Sequence, residues 1–365
     1  MPTRSTGPRT SAGSPSGHDG QPLMPPASVP SPAGSSAERP SLAELLASSS
    51  VVRLGLTTRF RGIDVREVML LAGPRGWGEW APFLEYEPAE AARWLRAAVE
   101  AGWGSWPTSL RESIPVNVIV PATDPARAAL MVRESGGCRT AKVKVAEPGQ
   151  GLADDVARVA AVRSALDEAG AGGKIRVDAN GGWSVEQAAT ALRELAGFDL
   201  EYAEQPCATL AEQAKLRLLV DLPLAADEGV RKALDPEHVA GLREAADLVV
   251  LKVAPLGGVA AALRVAEAAR LPAVVSSALD TSVGLAAGLV LAAALPSLPY
   301  ACGLGSGRLL AADVVRDRLL PVDGAIPVSR PEPDPELLAE HAAPADRVAW
   351  WHERLAAAYE IMAAS

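Results

Sequence analysis

Beyond Pro115 the chain alternates between short apolar runs and longer segments of helical period. Eight runs rich in Val, Ile, Leu and Ala begin at residues 116, 141, 174, 199, 222, 247, 272 and 299. Most of the intervals carry a segment such as SVEQAATALRELAG, in which apolar residues recur with the spacing of one helix face. This regular repeat of strand and helix predicts an α/β fold with parallel strands. We expect a (β/α)8-type barrel, with an open doubly wound sheet as the alternative.

A smaller unit precedes the predicted barrel. Two β-rich runs lie on either side of Gly62, and PAEAARWLRAAVEAG then has helical spacing. This order predicts an α+β capping domain. After the barrel, APADRVAWWHERLAAAYEIMA is again helical in pattern and is expected to pack back on the cap. The predicted division is a tail at 1–45, the N-terminal part of the cap at 46–114, the barrel at 115–325 and the C-terminal segment at 326–365.

The first 45 residues are dominated by Pro, Gly and Ser. Such a segment cannot bury enough apolar surface to offset the entropy lost on ordering, so we predict a disordered tail. It contains no apolar core of the kind found in a secretory signal, and a targeting peptide is not favoured. The sequence leaves open whether this tail belongs to the mature protein.

Composition and charge exclude several classes of function. The net charge is −9 and no window gathers basic and aromatic residues, so a nucleic-acid partner is not expected. The apolar run from Val283 to Leu295 is too short for a membrane span, and no membrane partner is expected. Three cysteines in unrelated contexts, at positions 138, 207 and 302, indicate free thiols in a reducing cytoplasm. The four histidines are scattered, which argues against a histidine-based site.

Charged residues stand near the carboxyl ends of the predicted strands, where barrels build their active sites. Lys142 and Lys144 project from the second strand to the same side, and like charge would depress a lysine pKa towards the range of a general base. Asp178, Glu204 and Asp227 end the next three strands. Three converging carboxylates indicate a hard divalent cation, with Mg²⁺ the best fit and Mn²⁺ nearly as good.

Lys252 ends the sixth strand, roughly across the barrel from the second. Lys144 and Lys252 would therefore flank a small carboxylate substrate held on the metal. This constellation suits proton abstraction α to a carboxylate, with a metal-stabilised enediolate as the product of that step.

Nine stretches in order carry a resemblance to a known family over residues 51–325. They are TRFRG, GWGEWAPFLEY, AKVKVAEPGQG, RVDANGGWS, EYAEQPCA, AADE, VLKVAPLGGV, SSALDTSVGLAAG and PYACGLG. With these motifs the chain resembles the enolase superfamily and, within it, the actinobacterial o-succinylbenzoate synthases of menaquinone biosynthesis. The resemblance implies a modified TIM barrel, a lyase and a syn dehydration of 2-succinyl-6-hydroxy-2,4-cyclohexadiene-1-carboxylate.

The resemblance also implies roles for individual residues. Lys144 would be the general base and then the general acid, Lys142 would tune it and bind substrate, and Lys252 would steady the enediolate. Asp178, Glu204 and Asp227 would hold magnesium, with Glu228 beside them but not on the metal. Asn180, Ser276 and Ser277 would line the pocket near the metal or the succinyl carboxylate.

Loops of the cap are expected by the same resemblance to close over the substrate. These are TRFRG around Arg59 and WGEWAPF around Trp80. Phe60, Trp80 and Phe83 could equally belong to the core of the cap. The glycine-rich GLGSGR segment after the last strand lacks the strand and helix context of a phosphate-binding loop, and we predict a flexible turn beside the pocket.

Two alternative functions stay open at this point. An N-succinylamino acid racemase would use acid/base groups on both faces of its substrate, and Lys144 and Lys252 supply both. A non-catalytic ligand-binding barrel, with Trp350 and Trp351 as a contact surface, is the alternative of another class.

Overall fold

The computed structural model describes residues 39–170, 172–232 and 236–365, without the side chains of 232–240. The tail predicted for residues 1–45 lies outside the described residues up to position 38. The prediction of a disordered tail is wrong for residues 42–45, because they belong to the first helix, Leu42–Ala47. Ser41 caps this helix in a reciprocal arrangement with Glu44, which satisfies backbone donors at its first turn. The sequence around them is poor in proline, unlike the residues before it.

Twelve strands and thirteen α-helices make up the described chain. The strands are β1 Ser49–Phe60, β2 Ile63–Gly73, β3 Gly76–Trp80, β4 Ser113–Pro115, β5 Val118–Val120, β6 Thr140–Lys144, β7 Lys174–Asp178, β8 Leu200–Glu204, β9 Leu224–Ala226, β10 Leu248–Leu251, β11 Ala273–Val275 and β12 Ala325–Pro327. The helices are α1 Leu42–Ala47, α2 Pro88–Trp103, α3 Pro125–Arg133, α4 Leu152–Glu168, α5 Val185–Leu195, α6 Leu210–Arg217, α7 Glu228–Lys232, α8 Pro236–Ala245, α9 Val253–Leu256, α10 Val259–Ala269, α11 Ser282–Ala294, α12 Pro335–Glu340 and α13 Ala345–Ala363.

The cap is an antiparallel sheet, β1-β2-β3, covered by α2 and α13. Its core is rich in tryptophan: Trp80, Trp94 and Trp351 are each no more than 1% exposed. Trp351 stacks edge-on against Trp80 and donates its indole N–H to Glu67 Oε2 at 2.8 Å. Trp351 is therefore part of the cap core, and not of an exposed contact surface. The C-terminal helix packs directly on α2.

The barrel is built from seven parallel strands in the order β5-β6-β7-β8-β9-β10-β11. The outer face of this curved sheet packs against the surrounding helices, and the two layers form one large apolar core. The predicted capped barrel of the α/β class is confirmed.

The eighth predicted strand, at PYAC, differs from the others. No regular strand forms there among the described residues, and the ring is closed instead by single bridges from Cys302 to Val116 and from Gly303 to Ser276. Backbone hydrogen bonds accompany both bridges, for example Asn117 N to Cys302 O at 2.9 Å. Pro299 lacks an N–H group, which limits the ladder that this segment can make.

The glycine-rich segment after it also departs from prediction. Gly305–Leu309 is a 3₁₀ helix, and Gly305, Ser306 and Gly307 are buried. A Cβ at Gly305 would lie 2.4 Å from the backbone oxygen of Asn117. Glycine is needed here for a close approach of two backbones, so the segment belongs to the barrel closure.

The long apolar run near Val283 forms α11, whose residues are almost all buried. Of the helices that the structure describes, none combines the length and the apolar character needed to span a membrane. The run is apolar because α11 is enclosed by the barrel and the cap.

Candidate active site

The alternation of side chains along each strand decides which residues face the barrel interior at its mouth, the end formed by the carboxyl ends of the strands. Nearer the amino ends of the strands, here called the lower end, the interior holds a separate small cluster, formed by Tyr202, Ala225, Leu248, Val250, Val274 and Tyr300. Side chains two residues apart share a face of a strand. Two residues further along, the inward positions are Glu204, Asp227, Lys252 and Ser276. On these four strands the inward positions therefore change from apolar or aromatic to polar and charged.

Lys142 joins two carboxylates at the mouth. Its Nζ lies 2.9 Å from Asp178 Oδ2 and 2.7 Å from Glu204 Oε1, and all three side chains are buried. Although burial disfavours the charged form, the carboxylates of Asp178 and Glu204 hold the pKa of Lys142 well above its usual value. Lys142 is a fixed positive charge at neutral pH.

Lys144, at the end of β6, has the opposite electrostatic character. Its Nζ lies 2.5 Å from Asp178 Oδ2 and also donates to Asn180 Oδ1. Burial lowers the pKa of Lys144, and the charge of Lys142 lowers it further against the opposing effect of Asp178. The two lysines of the same strand thus differ: one keeps its proton, and the other loses it more readily.

Lys252 and Asp227 form a second pair, directly after β10 and β9. Lys252 Nζ lies 2.5 Å from Asp227 Oδ2. Arg231 Nε lies 3.3 Å from the other carboxylate oxygen, Oδ1. Although burial opposes ionisation, the charges of Lys252 and Arg231 lower the pKa of Asp227 to about 2.

The strand order places Lys144 and Lys252 on opposite sides of the mouth. From β6 the ring passes through β7, β8 and β9 to reach β10, and in the other direction through β5, the closing segment at 302–303 and β11. Either path takes four steps, so the two strands face each other across the barrel. A small substrate between them would meet an amine on each face.

The three carboxylates offer only oxygen donors and are at most 1% exposed. Burial and the charge of Asp178 raise the pKa of Glu204 to about 7, and Asp227 Oδ1 has no hydrogen-bond donor. Both observations indicate negative charge that a hard cation would relieve, so the donor set fits Mg²⁺. As the side chains stand, no group of three or more His, Cys, Asp or Glu within the described residues is arranged around a metal position. Lys142 supplies the positive charge between Asp178 and Glu204 instead.

Asn180 and Glu228 lie at the rim of the mouth. Asn180 Nδ2 donates to Glu228 Oε1 at 3.2 Å, and Glu228 Oε1 also accepts from Arg231 Nη2 at 2.6 Å. Asn180 has a φ of 46°, in the left-handed region that asparagine tolerates better than most residues. This backbone conformation turns its amide back towards Lys144.

Ser276 and Ser277 form hydrogen bonds with the segment that closes the barrel. Both hydroxyls lie within hydrogen-bond distance of Gly303 O, at 3.3 and 3.2 Å, and Ser277 Oγ shares a hydrogen bond of 2.7 Å with Ser306 Oγ. Ser276 in addition lines a cavity of about 30 Å³ between cap and barrel. These hydrogen bonds give both serines a structural role, and contact with a substrate stays a prediction for them.

The aromatic residues of the cap separate into two groups. Trp80 and Phe83 are core residues, 0% and 3% exposed. Phe60, at the tip of the β1–β2 hairpin, has its ring centroid 5.9 Å from Lys144 Nζ. Arg59 on the same tip is exposed and pairs with Asp64 at 3.5 Å. The hairpin tip therefore reaches the mouth of the barrel.

Several residues that serve the site were missed by sequence reasoning. Arg231 is one of them, although its spacing of four and three residues from Asp227 and Glu228 on a helix was a usable signal. Gln205 is another: its Oε1 accepts from the backbone N of Asp227 at 2.9 Å and of Gly229 at 3.2 Å. Nothing in the sequence pattern indicated Gln205.

The clamp between cap and barrel was also missed. Glu79 on β3 accepts hydrogen bonds from Thr281 Oγ1 at 2.5 Å and from Gly284 N at 3.1 Å, at the N-terminus of α11. Arg66 on β2 donates to Leu279 O at 3.2 Å. These contacts join residues about 200 positions apart and fix the loop that follows β11.

Comparison with known proteins gives the same architecture. A family model described as enolase C-terminal domain-like matches residues 124–333, and one described as enolase N-terminal domain-like matches residues 51–102. Among solved structures, muconate lactonizing enzyme from Pseudomonas fluorescens superposes with a TM-score of 0.69 at 22% identity, covering 81% of this chain and 98% of that one. An N-succinyl Arg/Lys racemase from Bacillus cereus gives 0.66 at 22%, covering 81% and 97%. At this identity the structures show the fold alone.

Curated relatives are much more similar in sequence. The o-succinylbenzoate synthase of Thermobifida fusca is 58% identical over 83% of this chain and 93% of its own length. That of Mycobacterium leprae is 53% identical over 88% and 95%, respectively. That of Mycolicibacterium smegmatis is 52% identical over 88% and 98%. With its capped barrel, the chain belongs to the enolase superfamily and, within it, to the o-succinylbenzoate synthase family.

Proposed function

We propose that the protein dehydrates 2-succinyl-6-hydroxy-2,4-cyclohexadiene-1-carboxylate to o-succinylbenzoate, a step of menaquinone biosynthesis. Members of its family are hydro-lyases, and the chain is an enzyme of the lyase class. The observation that carries the proposal is the placement of Lys144 and Lys252 on opposite sides of a mouth that holds three buried carboxylates. No charged residue of the predicted set is missing, so a barrel that only binds a ligand is not favoured.

Lys144 is the residue that moves the proton. Its lowered pKa makes the neutral amine more accessible, and that amine takes the ring proton α to the carboxylate. The resulting ammonium lies on the same face as the C6 hydroxyl and donates its proton there as the carbon–oxygen bond breaks. Water leaves, the ring becomes aromatic, and Lys144 is neutral again. Lys142 stays a cation, and its charge lowers the pKa of the neighbouring Lys144 amine.

Lys252 acts on the other face without a proton transfer. Its ammonium is held by Asp227 at 2.5 Å, and it supplies positive charge near the carboxylate on which negative charge develops. The role needs charge and position but not a change of protonation.

Enzymes of the enolase superfamily generally use a divalent metal ion. We propose Mg²⁺ here, with Mn²⁺ as a substitute, bound by Asp178, Glu204 and Asp227. When bound, the ion would supply charge that stabilises the substrate carboxylate as the proton leaves. The basic and acidic side chains at the mouth are paired with one another: Lys142, Lys144, Lys252 and Arg231 with Asp178, Glu204, Asp227 and Glu228. A bound divalent cation would add positive charge beside these carboxylates.

The test is formation of o-succinylbenzoate, followed by its ultraviolet absorbance, with purified protein and Mg²⁺. We expect turnover that a chelator abolishes and that added Mg²⁺ restores. Folded protein that binds Mg²⁺ and yields no product would reject the dehydration. Turnover unaffected by chelator would reject the metal and leave the lysines as the whole catalyst.

Racemisation of N-succinylamino acids is the second candidate, because two lysines on opposite faces could each exchange a proton with the same carbon. Incorporation of solvent deuterium at the α-carbon of an N-succinylamino acid tests it. Exchange from both enantiomers, faster than dehydration, would favour the racemase over the synthase.

We further propose that residues 46–114 and 326–365 form one cap over a barrel of residues 115–325. Packing of α13 on α2 supports this division. We also propose a cytoplasmic location, which the three free, buried cysteines support. A small-molecule carboxylate is the expected partner.

A further inference from the structure

A chain of hydrogen-bonded side chains runs along the rim of the barrel mouth to Lys144. It begins at Arg231 on α7, whose Nη2 lies 2.6 Å from Glu228 Oε1. The same Glu228 oxygen accepts from Asn180 Nδ2 at 3.2 Å. Asn180 Oδ1 accepts in turn from Lys144 Nζ. Two polar side chains therefore connect the guanidinium of Arg231 to the ammonium of Lys144.

Arg231 also contacts Asp227 directly. Its Nε and Nη2 lie 3.3 and 3.4 Å from the two oxygens of that carboxylate. The helical spacing puts Asp227 and Glu228 one turn before Arg231, so one planar guanidinium reaches both acids. Only 11% of the Arg231 side chain is exposed. It is thus a buried cation between two neighbouring carboxylates.

The cap holds Arg231 from the other side. Arg93 on α2 donates from Nη1 to the backbone oxygen of Arg231 at 3.0 Å. The side chain of Tyr86, in the loop between β3 and α2, lies beside Arg231. The position of Arg231 therefore depends on docking of the cap on the barrel.

We propose that Arg231 is a positioning residue for the reaction, which keeps Asp227 and, through Glu228 and Asn180, Lys144 in their working positions. The inference rests on the proposed function, since it takes Lys144 as the base. Without the guanidinium, the like charges of Asp227 and Glu228 would repel each other. Glu228, which is 24% exposed, would turn towards solvent and leave the amide of Asn180 without its anchor.

The experiment compares Arg231→Met and Arg231→Lys with the unaltered protein. For Arg231→Met we expect kcat to fall about 10–100-fold, with a smaller change in KM, and Mg²⁺ affinity measured by calorimetry without substrate to fall about 10-fold. Arg231→Lys keeps the charge but cannot bond both carboxylates in one plane. It should recover Mg²⁺ affinity and leave kcat low. Arg316→Met, which removes an exposed arginine paired with Asp334 and not with a residue of the mouth, is the matched control and should change neither quantity.

A double-mutant cycle tests the route. If Arg231 acts through Asn180, the losses of kcat in Arg231→Met and Asn180→Ala should be less than additive when combined. Additive losses would overturn the chain, and unchanged kcat and Mg²⁺ affinity in Arg231→Met would overturn the inference altogether. Should Arg231→Met not fold, Arg231→Lys and its cycle with Asn180→Ala decide in the same way. If the unaltered protein makes no o-succinylbenzoate, the proposed function fails, while the Mg²⁺ titrations still test Arg231.

Discussion

The two ends of the barrel interior are built by the same strands and differ completely in character. At the lower end, Arg176 is fully buried, stacks 4.7 Å from the ring centroid of Tyr202 and pairs with Glu201 at 2.6 Å. Two residues further along the same strands, Asp178 and Glu204 share the ammonium of Lys142. The lower end holds Arg176 between two tyrosine rings and the carboxylate of Glu201. The upper end holds its carboxylates in ion pairs with lysines at the carboxyl ends of the strands.

This difference separates stability from chemistry along one strand. A buried ion pair in a closed network is costly to break, because one partner is left without compensation. A charge at the mouth can be exchanged for a metal ion or a substrate group. We therefore expect substitutions at the lower end to reduce stability, and substitutions at the upper end to reduce turnover.

The largest effect is expected for Lys144→Ala. Removal of the amine that moves the proton should lower kcat by about 10²–10⁴-fold, while the fold is kept. The assay is o-succinylbenzoate formation, with circular dichroism to verify folding. Lys174→Ala, an exposed lysine at the start of β7, is the matched control. Turnover at the original rate in Lys144→Ala would refute the assigned role.

At the lower end, Arg176→Met should act on stability. We expect the free energy of unfolding to fall by about 3 kcal/mol, because Glu201 and Asn117 lose their partner inside the barrel. Denaturant titration measures this loss. Turnover per folded molecule should change by no more than about twofold, about 0.4 kcal/mol in the barrier. A large loss of kcat with unchanged stability would contradict the separation of the two ends.

Lys252→Arg should have a moderate effect at the upper end. The charge remains beside Asp227, so dehydration should slow by no more than about tenfold, or about 1.4 kcal/mol in the barrier. Arginine transfers protons poorly, and any racemisation should fall by about 10²–10⁴-fold. Steady-state rates for both reactions, with Lys252→Ala for reference, provide the comparison. Equal losses in the two reactions would mean that Lys252 moves a proton in dehydration as well.

The smallest effect on turnover is expected at the clamp, where the substitution acts on the pH dependence of stability. Burial, together with the charge of Asp280, raises the pKa of Glu79 to about 8. The folded state then keeps a proton that the unfolded state has released, so stability falls as pH rises from about 4.5 to 8, by up to about 1.4 kcal/mol per pH unit. Glu79→Gln should remove this part of the pH dependence, so its stability relative to the unaltered protein should rise between pH 5 and 8 by up to about 1.4 kcal/mol per pH unit. Chemical denaturation between pH 5 and 8 measures it, and an unchanged slope in Glu79→Gln would assign the dependence to another group.

The sequence by itself determined the approximate positions of the seven barrel strands and the face of each strand on which Lys142, Lys144, Asp178 and Glu204 lie. These features are local: period-two alternation and strand ends can be found within a few residues. The family resemblance added roles for the same positions. For the same reason, the helical spacing of Asp227, Glu228 and Arg231 is present in the sequence.

Tertiary structure decided what depends on distant segments. Cys302 and Gly303 close the ring with single bridges, Glu79 caps a helix 202 positions away, and Arg93 of the cap holds the backbone of Arg231. No local pattern specifies such partners, because each contact depends on how the cap and the barrel pack together. The pKa difference between Lys142 and Lys144 has the same origin: both are lysines on one face of one strand, and only the carboxylates brought to them by folding distinguish them.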